Sequence, residues 1–487
     1  MRKRSMPQAR TVAVGLLVSV LAAWSPEAAA TEAAPAPAAA APSALAAPEA
    51  PAPPVPAPAP APPAPPAADP LIGFSDRLFV RTPGAEVVLF PDVRLQVDAA
   101  FFPRQTPKSG AYLRRARVGF AGWLAHLFYF DVTADVTPHP PGGDDSVAPA
   151  ALSPPDDYLA VVPLRDDRLI VQAGQFDVPF TLENRTSDAY TDFIERSMAA
   201  RLLGAPRNKD VGLMAAGLIQ ERFYYSAGLF NGEGPEFRNL DNQPDAIGRL
   251  VAFPWGIRGP GIGASGWYGR HVLGPAFPIQ ATPGGLTFFN PSWVTGQDMP
   301  LDLQLREQGT VVAVGGDLNL PINHRFGLRG EVVYKQDDLI EADISLLPAG
   351  PIMPLGDATL QGIAGYGEIW YWVLGDDRLL PAPGLELPSR PGPGNGRAFE
   401  DGLMIAVRGE ILKEDLSTTQ LNLGDPNRAT TRVVSGTLGI NYWRGNLVRL
   451  SINYVGNYWS GSSEAVKNLQ LTGNLEHELL LRFALSL

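Results

Sequence analysis

The 487-residue sequence predicts an all-β protein, a closed transmembrane antiparallel β-barrel of about 16 strands. Three observations predict it. The chain opens on a secretory leader, the sequence after Leu71 runs with a period of two, and the polar faces of those strands carry charges in mid-strand.

The leader comes first. Arg2, Lys3, Arg4 and Arg10 precede the apolar run Thr11 to Ala23, and Ala28 to Ala30 offers an A-x-A cleavage site, so residues 1–30 read as a signal peptide. The run is shorter than the roughly 20 residues a spanning helix needs. Residues 31–70 are mostly Ala and Pro, without apolar periodicity, and predict a disordered, extended periplasmic tether.

Residues 71–487 predict the barrel. Val448, Leu450, Ile452 and Tyr454 alternate with Arg449, Ser451 and Asn453. Val434, Leu438, Ile440 and Tyr442 stand against Ser435, Thr437 and Asn441, and Leu403, Ile405 and Val407 against Arg408 and Glu410. Phe326, Leu328, Val332 and Tyr334 oppose Arg329, Glu331 and Lys335; Phe128, Phe130 and Val132 oppose Tyr129, Asp131 and Thr133. A soluble sandwich or propeller buries one such face, whereas an outer-membrane barrel turns it to lipid and keeps a polar lumen. Mid-strand Arg, Asp and Glu favour the wet lumen. Phe101, Phe102, Trp123, Tyr371, Trp372, Trp443, Tyr458 and Trp459 predict interfacial girdles. DLIEADISL from Asp338 reads as a less clear strand, and 273–310, rich in Gly, Pro and aromatics, as a large external loop. The last segment, ELLLRFALSL, puts Leu479, Leu481, Phe483, Leu485 and Leu487 on one face, with Leu480 breaking the pattern. It predicts a closing strand paired with the first.

Net charge is −11, which argues against a nucleic-acid surface, and the chain has no cysteine, which excludes disulfides and thiolate chemistry. His126, His139, His271, His324 and His477 form no metal-ligand motif, and Asp144 and Asp145 read as a solvated turn. Ser197 has no local base or elbow. No metal, cofactor or catalytic site is expected.

Tyr112 to Val136 (YLRRARVGFAGWLAHLFYFDVTADV) resembles the early hairpin of the phosphate-selective porin O and P family. Leu169 to Leu202, with GQFDVPF and a following ERS, resembles that family's most recognisable block, and the likeness continues through DVGLMAAGL and RFYYSAGLFNGEG. Gly367 to Arg378 and Thr437 to Val455 resemble later strands. The resemblance implies a 16-stranded homotrimeric channel in the outer membrane of a Gram-negative bacterium, among lipid and lipopolysaccharide. It also implies passage of small anions, phosphate or polyphosphate among them, past inward basic residues and a loop folded into the pore. Arg115 and Arg117 share a parity opposite Val118 and Phe120 and are candidate lumen residues. The segment 184–209 adds Arg185, Arg196, Arg201, Arg207 and Lys209. These arginines either filter anions or pair with Asp188, Asp192, Glu195 and Asp210 to fix the loop. The sequence departs from the pattern in its few lysines and in ending on Leu487 rather than an aromatic. Alternatives are a non-selective general porin, a structural or adhesive barrel, and a secreted sugar-binding β-sandwich.

Overall fold

The computed structural model describes residues 71–74, 77–103, 109–136, 156–164, 166–204, 208–235, 242–272, 274, 276–295, 301–344, 353–390, 400–418, 430, 432–461, 467, 471 and 473–487. The leader, the tether, the turn at His139 and Arg207 lie outside them.

Sixteen strands make the wall. They are β1 Val87–Phe101, β2 Gly110–Leu124, β3 Phe128–Asp135, β4 Asp157–Val161, β5 Ile170–Asp177, β6 Lys209–Ile219, β7 Phe223–Phe230 and β8 Asp245–Ala252. The second half is β9 Gly261–His271, β10 Leu301–Asn323, β11 Phe326–Asp343, β12 Met353–Leu374, β13 Asp401–Thr418, β14 Arg432–Arg444, β15 Val448–Ser460 and β16 Leu475–Ser486. Each pairs antiparallel with its sequence neighbour, and β16 returns to β1 with Leu481 opposite Ala99 and Phe483 opposite Val97. The main sheet thus closes on itself, as a wall in lipid requires. Arg482 lies opposite Asp98 in that seam, and both of its terminal contacts to the carboxylate measure 2.7 Å. Two short strands, Ile72–Phe74 and Leu78–Arg81, form a hairpin that joins the start of β1.

The alternation sorts as the sequence predicts. Leu450, Ile452 and Tyr454 are exposed on the outer face, while Arg449, Ser451 and Asn453 are buried inside. The same division holds for Leu438 and Ile440 against Thr437 and Asn441, and for Val332 and Tyr334 against Glu331 and Lys335. An apolar exterior reaching round the sheet, from Val118 and Phe120 through Leu250 and Ile262 to Leu479 and Phe483, belongs in lipid rather than water. Strands β10 and β12, at 23 and 22 residues, exceed the 9–11 that cross a bilayer.

Three expectations are corrected. The segment at Asp338 is the far part of β11, and 301–310 belong to β10. Residues 276–295 are not an exposed loop. Phe277, Leu286, Phe288 and Phe289 turn in and pack against inward-facing Leu360, Leu412 and Val433. Of the predicted girdle, Phe101, Tyr371 and Tyr458 are exposed, but Trp123, Trp372, Trp443 and Trp459 are buried. They sit on inward parity and serve inner loops: Trp372 and Trp443 pack with Phe193, Leu379 and Leu380. Leu480, which broke the pattern of the last strand, packs inside against Ile194 and Val455.

An arginine at Ile452, outward and mid-strand, should lower folding stability in lipid vesicles by about 2–4 kcal/mol. Denaturant titration of Ile452→Arg reads this directly; unchanged stability would mean that the face is not in lipid.

Candidate functional site

The connection between β5 and β6, described over residues 178–204 and at 208, enters the lumen and crosses it. Its acidic residues meet arginines projecting from opposite walls. Asp188 is bound by Arg94 of β1 and, at 2.8 Å, by Arg115 of β2. Glu195 takes Arg114 of β2 at 3.1 Å and Arg482 of β16 at 3.3 Å. Asp192 pairs with Arg329 of β11 at 2.7 Å, and Glu183 with Arg408 of β13 at 3.2 Å. Backbone groups are tied too: the amides of Ile194, Met198 and Leu182 donate to Asn453 (2.7 Å), Glu410 (2.7 Å) and Glu331 (2.9 Å). A buried loop has no water for these groups, so the wall must supply partners. Gly439 faces Phe193; a Cβ there would stand 3.0 Å from the ring.

Two further connections point inward. In the β9–β10 connection, Gln280 donates to Glu414 at 2.7 Å and the Gly284 amide to Glu478 at 2.9 Å. In the β12–β13 connection, Glu386 pairs with Arg185 at 2.5 Å, and the Gly384 amide donates to Thr186 at 2.8 Å. Gly384 has φ +73°, a conformation that glycine adopts freely, and lies against Leu182.

A cavity of about 670 Å³ remains between the crossing loop and the wall of β1–β5. Arg115, Arg117, Arg185, Arg196 and Lys209 of the predicted residues line it, joined by Arg77, Arg94 and Arg114. Arg201 is not among them; it donates to the Ala281 carbonyl at 2.5 Å, under the β9–β10 connection. Against these eight cations stand seven acids, Asp92, Asp131, Asp135, Asp156, Asp177, Asp188 and Glu386. Lys209 sits 2.6 Å from Asp156 and 2.9 Å from Asp177. Asp156, Asp177 and Glu386 are close enough together to hold a cation, and the Lys209 ammonium already supplies that charge. Arg196 donates to the carbonyls of Glu183 (2.8 Å) and Thr186 (2.9 Å). Arg117 is held loosely, 3.7 Å from Asp135 and 3.9 Å from Asp156.

Arg114 is the instructive omission. Simple alternation puts it outward, beside inward Arg115. The β1–β2 register slips between Gln96 and Val97, opposite Arg115 and Leu113, so Arg114 is the extra residue of a bulge and reaches Glu195. An arginine facing lipid is costly, and adjacent arginines in a spanning strand are the signal that could have found the bulge. Arg94 shares inward parity with Asp92 and Gln96 and was legible on that ground.

A family profile, phosphate-selective porin O and P, matches residues 92–254, which hold the crossing loop and most of the cavity. Over that segment the chain is similar to that family. With the closed barrel and its apolar exterior, it makes the chain a porin-type outer-membrane channel. Among curated proteins nothing matches. Solved structures similar to the chain include a loop-deletion mutant of OmpT, an outer-membrane protein of Vibrio cholerae (12% identity, 82% of this chain and 100% of that one, TM-score 0.49). The outer-membrane channel DcaP of Acinetobacter baumannii is similar at 11% identity, 86% and 100% coverage and TM-score 0.48. An anion-selective porin from Comamonas acidovorans is similar at 9%, 82% and 100%, and 0.45.

Burial alone would push the Asp188 and Glu195 carboxyls up. Arg115 and Arg94 hold Asp188 well below the usual range, and Arg114 and Arg482 bring Glu195 down to about 2. Depressed folded values mean that this anchoring is present above an ordinary carboxyl value of about 4 and is lost as pH falls from there toward 2. Protease access to the loop, or labelling of a single cysteine introduced into it, should therefore stay low at pH 5 and rise only below about 4. Exposure beginning at pH 6 would contradict the pairing. Glu183→Gln removes one of the two carboxylates on the deeply buried Arg408, Glu410 remaining at 3.0 Å, and should cost about 1–3 kcal/mol on denaturant titration.

Proposed function

We propose that the chain forms a passive diffusion channel for small anions, with modest rather than strict preference, working as a homotrimer in the outer membrane. The observation that carries this reading is the cavity lining, eight basic side chains against seven acidic ones, converging beside the crossing loop. Guanidinium groups stay charged at all relevant pH and present several donors to an oxyanion. Weak sites in sequence let an ion enter and leave.

The same pairing limits selectivity. Arg94, Arg115 and Arg114 are engaged by Asp188 and Glu195, so few cationic groups stand free to strip water from phosphate. A general porin leaning towards anions fits this better than a phosphate trap. The signal peptide over 1–30 and the spacer over 31–70 complete the proposal: export, then a tether on the periplasmic side. Short turns link β2 to β3, β6 to β7 and β14 to β15, at the same end as the start of β1, and by the general rule for such barrels that end faces the periplasm, which supports this reading.

Reversal potential across a planar bilayer in a salt gradient tests the sign. The native chain should show mild anion preference. Arg115→Gln with Arg117→Gln takes the lining from eight basic groups to six against seven acids and should bring the pore to neutrality or weak cation preference. A strongly cation-selective native pore would overturn the proposal.

A further inference from the structure

The inner wall beside the cavity is graded along its axis. Strand register stacks the inward residues of β1–β3 in rows. Gln96 and Arg115 form one row; Arg94, Arg117 and Asp135 the next; then Asp92, Gly119 and Thr133. Phe90, Ala121 and Asp131 follow, and then Val88, Trp123 and Tyr129. Basic rows thus give way to acidic rows and then to aromatic ones.

Most charges in these rows are taken. Arg94 and Arg115 hold Asp188, and Arg77 holds Asp92 at 2.5 Å. Two are not. Arg117 has carboxylates only at 3.7 and 3.9 Å, beyond hydrogen-bond length. Asp131 has no hydrogen bond or ion pair from the described residues, and its Oδ1 is unpartnered. Both line the cavity, with Tyr129 and Tyr158 beside Asp131. Arg117 lies opposite Asp135, four residues from Asp131 along β3, so their backbone positions are about 13 Å apart. The arginine side chain shortens the gap between the charges to roughly 7–10 Å, the length of two to three extended residues.

We propose that this cavity selects solutes bearing a carboxylate and an ammonium together, namely short zwitterionic peptides. The carboxylate meets Arg117, the ammonium meets Asp131, and the side chain between them lies along Tyr129 and Tyr158. A cavity of about 670 Å³ is of the size that encloses small organic ligands. A simple anion finds only a small net attraction in a nearly balanced lining, whereas a dipolar solute meets the loosely held Arg117 and the unbonded Asp131 together. The inference rests on the channel reading above.

The test uses the full mature chain in planar bilayers at pH 7, with alanyl-phenylalanine, its N-acetyl form and its C-terminal amide as probes. Half-block of the chloride current should need at least about tenfold less zwitterion than either derivative, the equivalent of about 1.4 kcal/mol. Asp131→Asn should erase the advantage over the acetylated peptide, and Arg117→Gln the advantage over the amide. Mobility before and after boiling confirms that each variant is folded. A chloride current blocked equally by the zwitterion and the acetylated peptide, or by none of the probes, overturns this proposal and leaves the channel standing. Absence of any current overturns the channel and this proposal with it.

Discussion

Six wall arginines turn into a closed barrel, and four carboxylates of one loop meet them. Arg94 and Arg115 share Asp188, Arg114 and Arg482 share Glu195, Arg329 takes Asp192, and Arg408 takes Glu183. Three of the six also hold a carboxylate of the wall: Arg482 has Asp98, Arg329 has Glu368 and Arg408 has Glu410. The arginines come from β1, β2, β11, β13 and β16, so a loop that meets them all crosses the lumen, and its course is fixed where it lands. Buried pairs of this kind are weak evidence for net stability. They do set geometry, because each fixes a loop carboxylate against a named strand.

The rest of the interior follows from that crossing. Ile194 needs an apolar landing, which Leu480, Val455 and Ala100 provide. Phe193 needs room, which Gly439 leaves, and a lid, which Trp370, Trp372 and Trp443 form. The Arg408 guanidinium stacks 4.4 Å from the Phe193 ring, joining the ionic and aromatic parts of the contact. What the loop leaves open is a cavity whose basic residues are mostly already answered, and the permeation character depends on the remainder.

The wall was legible in the sequence because lipid outside and water inside impose a period of two that no other requirement overrides. Leu450, Ile452 and Tyr454 could be placed by counting. The interior was less legible, because an inward residue meets either water or a loop and alternation does not say which. Trp372 and Trp443 therefore read as girdle residues when they are the floor under Phe193, and Leu480 read as an irregularity when it is a contact. Residues 276–295 carry the Gly, Pro and aromatic content of an exposed loop, yet Phe288 and Phe289 are core. Among the site residues, Arg115 and Arg117 followed from parity. Arg114 did not, because a bulge resets the count. Of the basic residues named from the sequence, Arg115 pairs with Asp188, whereas Asp192 and Glu195 take Arg329, Arg114 and Arg482, on strands far away in sequence.

The central claim is that the crossing loop lies across the lumen in the membrane-embedded protein, tied to the closing strand. The chain has no cysteine, so a pair can be introduced cleanly. Ile194→Cys with Leu480→Cys places one thiol on the loop and one on β16, in positions whose side chains pack together. In lipid vesicles, mild oxidation should join them in high yield, with single-channel conductance unchanged by the bond. Two thiols that stay unlinked and react readily with a bulky reagent from solution would contradict the account.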